Sequence, residues 1–219
     1  AAAKARTSVV ISLTGEMRSG DSPRAAFPFG GAPRGVPLRQ MRRNANGGAC
    51  GGAEVMTSER YEKLVAPLRR HPRAVAALAG VNQALTALCY TVYPLLLLFL
   101  LGERDARFWR CLLVPAVSFA AVTLFRSACN APRPYEQGID ALLKKKRTGH
   151  SFPSRHVFSA VMIAVTAAYL LPALSVPLFV AAALLALIRV LGGIHYPRDV
   201  FCGALFALIA GGIGFCSET

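Results

Sequence analysis

Five long apolar runs, almost free of charge, fill most of residues 74–215 and constrain the fold more than any other feature. They fall at about residues 74–101, 108–125, 154–171, 173–191 and 200–215. A helix needs about 20 apolar residues to cross a bilayer, within a range of roughly 17–25. The first run is long enough to cross at a tilt, and the third and fifth sit at the short end. A soluble helical core would need a polar face on each helix to meet water, and these runs leave none. The pattern predicts an all-α, polytopic membrane bundle of about five transmembrane helices. Five crossings also place the two ends of the chain on opposite sides.

The distribution of charge agrees. Apolar residues make up 54% of the chain and charged residues 16%, against a soluble norm of roughly 25% charged. Most charges lie in the first seventy-odd residues and in the stretch 126–155. The net charge of +14 could suggest nucleic acid, but the basic residues flank apolar spans. Anionic lipid headgroups or a phosphate-bearing substrate account for them better, and no nucleic-acid partner is expected. Of the six cysteines, Cys89, Cys111, Cys202 and Cys216 fall in or beside apolar runs, while Cys50 and Cys129 lie outside. No C-x-x-C pair occurs, so they read as small apolar filler rather than a disulfide framework.

Residues 1–55 are rich in Gly, Ala, Pro, Ser and Arg without periodicity, and read as a disordered basic tail or an over-extended start. The cluster Val9-Val10-Ile11 is too short for a signal-peptide core, which needs roughly 7–15 apolar residues. Met56-Thr57-Ser58-Glu59 leads directly into a plausible helix, so a membrane domain is expected over residues 56–219. Residues 59–73 mix Tyr61, Leu64, Val65 and Leu68 with five basic side chains, which suits a short helix on the membrane surface, broken or kinked at Pro67.

Alternating crossings bring residues near 126–156 and 189–199 to the same membrane face. That face collects the ionisable residues that the spans otherwise avoid: Arg126, Arg133, Ser154, His156, Arg189, His195 and Asp199. Ionisable groups at membrane depth are costly and mark function by default. Each type suits phosphoryl transfer, which is mostly positioning and charge neutralisation at three equatorial oxygens. The arginine fork grips two oxygens at once. Ser154 follows Pro153 and precedes a helical run, so it is a credible N-cap, and the amides of that helix start form an anion site. One histidine must attack as neutral imidazole and the other must protonate the leaving group. His195 is assigned the attack because Asp199, four residues on and near a helix start that Pro197 can begin, can hold one ring nitrogen and fix the tautomer. His156 is then the acid. His71 and His150 match nothing and read as loop or surface residues. Gly192-Gly193 should end the fourth span. Tyr135 and Tyr196 read as interfacial anchors. The run Lys144–Arg147 reads as solvated or headgroup-facing, not catalytic.

In order and spacing these residues resemble the type 2 phosphatidic acid phosphatase superfamily. Its three motifs are matched by Arg126 with Arg133-Pro134, by Pro153-Ser154-Arg155-His156, and by Arg189 followed by His195 and Asp199. The resemblance covers roughly residue 74 to the C-terminus. There are three departures: Arg126 stands for a Lys, Arg155 for a Gly, and Ile188 for a Ser. Arg155 can still offer its backbone N–H, and would add a fourth cation to the phosphate-binding set of Arg126, Arg133, Ser154, Arg155 and Arg189.

The resemblance implies a membrane phosphatase acting on a lipid phosphate or diphosphate through a phosphohistidine, and six spans in many members where five are counted here. No cofactor or metal is expected, because the surrounding arginines would repel a cation. The rivals are a lipid phosphotransferase using the same intermediate, a membrane anion transporter, and a non-enzymatic relative. A transporter would need arginines leading to both faces, and a non-enzymatic relative would not need the complete His, His and Asp set. An integral protein of a bacterial cytoplasmic membrane is expected. The Lys and Arg count would put the active face in the cytoplasm, whereas the resemblance points outward.

Overall fold

The computed structural model describes residues 56–143 and 147–216. The disorder expected for residues 1–55, and the side chains of Lys144, Lys145 and Lys146, lie outside the described residues. Those described contain six α-helices: α1 (Ser58–Arg69), α2 (Pro72–Gly102), α3 (Phe108–Cys129), α4 (Arg155–Leu170), α5 (Pro172–Leu191) and α6 (Pro197–Cys216). A short 3₁₀ turn, Pro134–Gln137, lies in the connection between α3 and α4. The all-helical membrane bundle read from the apolar runs is the fold observed. Helices α2, α3, α5 and α6 are long and apolar enough to cross a membrane.

The remaining apolar helix, α4, has 16 residues and falls short of that length. Its position explains why it needs no lipid-facing length. It packs against α2, α3, α5 and α6, and nine of its residues are buried. Phe158, Met162, Ala164 and Ala167 on α4 meet Leu185 of α5 and Ala207 of α6 in the main core. Small residues let the helices close. A Cβ on Gly203 of α6 would stand 2.7 Å from the carbonyl oxygen of Ser154, so only glycine allows α6 to touch the start of α4 there.

The surface helix expected near residues 59–73 is α1, which runs through Pro67 and ends two residues later. Thr57 caps it by accepting from the Arg60 amide. Its apolar face packs inward against the protein. Tyr61 and Val65 are fully buried in a second cluster with Ile139 and Tyr196. The Tyr61 hydroxyl donates to the Leu191 carbonyl at 2.9 Å and accepts from the Leu142 amide at 3.2 Å. Helix α1 thereby fastens the end of α5 to the loop before α4. Tyr196 is correspondingly buried, with its hydroxyl donating to Gln137, and is a core residue rather than the interfacial anchor expected from its type.

Candidate active site

The ends of four helices converge on one end of the bundle: the C-termini of α3 and α5 and the N-termini of α4 and α6. Helix α5 stops as the glycine pair predicts. Gly192 caps it and Gly193 takes φ +68°, where a Cβ would also strike Ala141 and the Tyr61 hydroxyl at 2.8 Å. The chain then winds back so tightly that the amides of Ile194 and His195 both donate to the Arg189 carbonyl, at 3.1 and 3.2 Å. This turn sets His195 beside Arg189. Pro197 opens α6, and Asp199 reaches back from its first turn to the Tyr196 amide at 3.1 Å. That is how the acid of a capping box satisfies a helix start.

His195 is 2% exposed and Asp199 fully buried. The expected direct pairing between them is replaced by a bridge. His195 Nδ1 lies 3.7 Å from Asp199 Oδ2, beyond hydrogen-bond length. The Ser151 hydroxyl stands between them, 2.5 Å from Oδ2 and 3.3 Å from Nδ1. Its single proton goes to the carboxylate, so the oxygen it turns to the ring is an acceptor. The imidazole therefore carries its proton on Nδ1 and keeps the Nε2 lone pair. Burial pushes the His195 pKa from the ordinary 6.5 down to about 4. The Asp199 charge pulls the other way, and Arg133 and Arg126 add to the lowering. The ring is thus neutral at neutral pH, as an attacking imidazole must be.

A cavity of about 180 Å³ opens at this point. Its lining contains His156 and His195 together with Arg126, Arg133, Arg147, Arg155 and Arg189. Seven of the eight residues singled out by the motifs are thus gathered around one space or directly behind it. The eighth, Ser154, is fully buried at the head of α4, and its amide donates to the Asp199 carbonyl at 2.8 Å. It occupies the N-cap position without making the cap bond expected of it, and its hydroxyl meets no partner among the described residues.

The arginines divide into two groups. The Arg126 guanidinium donates to the carbonyls of Pro153 and His150, and Arg133 Nε donates to the Gly149 carbonyl at 2.9 Å. Glu136 gathers the amides of Arg133 and Gly149 onto one carboxylate oxygen. These contacts hold residues 149–153, and hence Ser151, against His195. His150 is the exposed loop residue expected, and it joins this arrangement through its carbonyl and through Nδ1, 3.2 Å from the Arg126 carbonyl. Arg189 is 1% exposed. One of its terminal nitrogens donates weakly to Thr86 at 3.4 Å, and its Nε has no partner among the described residues. Arg155 stands over the Phe119 ring, 5.9 Å from the centroid.

Spacing alone missed two residues. Ser151 lies ahead of the second motif, and no pattern marks it. Arg147 ends the basic run set aside as headgroup-facing, yet it lines the cavity, with its carbonyl accepting from Tyr135.

A helical membrane bundle with two histidines and five arginines around a cavity at one end defines an anion-handling membrane protein. A family model described as the PAP2 superfamily matches residues 107–218, just over half of the chain, and the chain belongs to that superfamily. Among solved structures, that of LpxE from Aquifex aeolicus is similar, with 26% sequence identity and a TM-score of 0.59. The match covers 75% of this chain and 96% of that one. A second is described as the first transmembrane PAP2 type phosphatidylglycerolphosphate phosphatase from Bacillus subtilis. It is 21% identical with a TM-score of 0.54, covers 83% of this chain and 94% of that chain, and shares the fold. No curated protein sequence matches the chain.

Proposed function

We propose that this chain is a membrane phosphatase that hydrolyses a lipid phosphate or lipid diphosphate through a phosphohistidine on His195. The observation that carries the reading is the cavity in which His195 and His156 share one lining with five arginines. Membership of the PAP2 superfamily and the phosphatidylglycerolphosphate phosphatase among the fold neighbours support it.

His195 Nε2 attacks phosphorus, and the bond to the leaving lipid oxygen breaks as His156 donates it a proton. The positive charge that develops on the His195 ring is relayed through Ser151 to Asp199. Arg155 and Arg189, whose guanidinium groups are least engaged with the backbone, grip the phosphoryl oxygens, and the unpartnered Ser154 hydroxyl offers a further donor. Arg126 and Arg133 contribute charge while holding the loop in place. His156, now the base, takes a proton from water, which attacks phosphorus and releases phosphate and free His195. The working unit is the segment 56–219, and its setting is a bacterial cytoplasmic membrane.

The test is phosphate release by purified protein from a panel of lipid phosphates and diphosphates, with His195→Ala alongside. Loss of several powers of ten in turnover is expected, of the kind seen when an attacking group is removed. Vanadate, which occupies phosphoryl sites, should inhibit the parent protein. Unchanged turnover in His195→Ala would refute the mechanism.

A further inference from the structure

The turn that aims His195 rests partly on groups that lie outside the cavity. Carbonyls at a helix C-terminus have no partner within the helix and must find one elsewhere. At the end of α5 the turn itself serves three of them. The Gly192 amide donates to Ile188 at 2.8 Å, the Gly193 amide to Val190 at 2.9 Å, and the Ile194 and His195 amides both to Arg189. The next two carbonyls are met from other parts of the chain. Gly192 accepts from the Leu143 amide at 3.0 Å, and Leu191 accepts from the Tyr61 hydroxyl at 2.9 Å.

Tyr61 thereby completes a seam between two backbone segments. The bond from Leu143 to Gly192 joins residues 142–143 to residues 191–192. One residue earlier on each segment, the Leu142 amide and the Leu191 carbonyl are joined through the Tyr61 hydroxyl, which accepts from the first at 3.2 Å and donates to the second. The same oxygen presses on Gly193. A Cβ at that glycine would stand 2.8 Å from it and 2.8 Å from the Ala141 Cβ. The residue two places before His195 is therefore gripped between α1 and the loop that precedes α4. Tyr61 is fully buried, so water cannot take the place of its hydroxyl.

Helix α1 is itself fixed in place. Tyr61, Val65 and Arg69 recur at helical spacing along one face. Val65 packs in the cluster with Ile139 and Tyr196, the neighbour of His195. Arg69 donates to the Asp140 carboxylate at 2.6 Å and to the Asp140 carbonyl at 2.5 Å, and also holds Glu62 at 2.9 Å. None of these α1 side chains lines the arginine–histidine cavity. Helix α1 also precedes residues 107–218, over which the superfamily model matches, so this support is an addition particular to the chain.

We propose that Tyr61 is a positioning residue for the nucleophile: its hydroxyl holds the Gly192–Gly193 turn in the register that aims His195 at the bound phosphoryl group. The proposal rests on the phosphatase reading and adds a working part outside the matched region. His195 has to keep its bridge through Ser151 while its other ring nitrogen stays in line with phosphorus. Such a geometry tolerates little drift, since a displacement of about 1 Å can cost about a hundredfold in rate. Tyr61→Phe removes the hydroxyl and keeps the ring in its cluster. The Leu142 amide and the Leu191 carbonyl then lose their partner together, and the turn has to shift for them to find others.

The test reads phosphate release from dioleoyl phosphatidate and dioleoyl phosphatidylglycerol phosphate in detergent micelles, below the melting temperature of every variant. Tyr61→Phe should lower kcat about tenfold to a hundredfold with KM within about threefold, because the arginines that bind the substrate are untouched. Val65→Ala takes packing from the same cluster but no hydrogen bond. It should lower the melting temperature at least as much as Tyr61→Phe and leave kcat within about twofold of the parent, which separates position from stability. Arg69→Gln frees Asp140 from α1 at a partly exposed site. It should lower kcat about threefold or more in the same sense, and it keeps the question answerable if Tyr61→Phe does not fold. A Tyr61→Phe kcat within about twofold of the parent would overturn the positioning role and leave the phosphatase reading standing. So would losses of kcat that merely follow the fall in melting temperature across the three variants, or an unchanged Arg69→Gln where Tyr61→Phe does not fold. A parent protein that releases phosphate from neither lipid would overturn both readings together.

Discussion

Replacing Ser151 with alanine is the sharpest perturbation of the proposed mechanism, because the residue touches the nucleophile without lining the cavity. In the structure Asp199 Oδ2 accepts from Ser151 and from the Tyr196 amide, while Oδ1 has no hydrogen-bond partner among the described residues and lies 3.5 Å from Arg198 Nε. Ser151→Ala halves the hydrogen bonds on a fully buried carboxylate and removes the acceptor that faces His195 Nδ1. A hydrogen bond to a charged group contributes about 1.5–3 kcal/mol, which corresponds to roughly 10- to 150-fold in rate if it is felt wholly in the transition state. The bond already exists in the resting site, so only the part that strengthens as the ring gains charge reaches kcat. We expect kcat to fall about tenfold to fiftyfold, towards the lower end of that range for this reason, with KM within about threefold. Steady-state phosphate release from dioleoyl phosphatidate reads both quantities, with Asp199→Asn as the comparison. Asp199→Asn should be the more severe because it removes the charge itself. A Ser151→Ala kcat within twofold of the parent would show that Asp199 orients His195 without the bridge, and the relay would have to be abandoned.

Two further outcomes follow from the same geometry. The pKa of His195, held near 4 by burial, places loss of kcat/KM through nucleophile protonation near pH 4 instead of near 6.5. The unfolded chain, with an ordinary histidine, takes up that proton first, so thermal stability should fall as pH drops from about 6.5 towards 4. A pH–rate profile and melting curves across that interval check both signs, and an acid limb of kcat/KM centred near 6.5 would refute a nucleophile held neutral by burial. Gly203→Ala forces a methyl group against the Ser154 carbonyl and should cost about 1–3 kcal/mol, as overpacking does. It should lower melting temperature and activity together by disturbing the Ser154–Asp199 backbone contact, whereas Gly212→Ala, which meets nothing, should change neither.

Much of this architecture was legible in the sequence, for a physical reason. Lipid leaves backbone groups no partner except their own helix, so long uncharged runs have few alternatives to spanning helices. Once the runs alternate across the membrane, Arg126, His156, Arg189 and His195 have to share a face. What spacing cannot show is how loops fold against one another. Ser151 acquires its place because Arg126 and Arg133 fasten the surrounding carbonyls from residues 16 to 27 positions away. Tyr196 is buried because α1, some 130 residues earlier, closes over the end of α5. Helix α4 is short because it lies inside the bundle, which its composition alone does not reveal.

The same distinction changes how the arginines are to be counted. By charge alone, all of them are phosphate ligands of equal standing. In the structure Arg126 and Arg133 have guanidinium donors engaged with backbone carbonyls, so they can lend charge to a phosphate without giving up their places. Arg189 is different, being buried and carrying an unpartnered Nε, and the Ser154 hydroxyl shares that condition. Burying a donor or acceptor without a partner costs about 1–3 kcal/mol each, and a fold accepts such a cost where something else repays it. Arg189 lines the cavity and Ser154 does not, so in the proposed reading it is the Arg189 Nε that an anion in the cavity would satisfy. In that reading this buried, unsatisfied donor, more than the excess of positive charge, is what favours a ligand that brings acceptor oxygens.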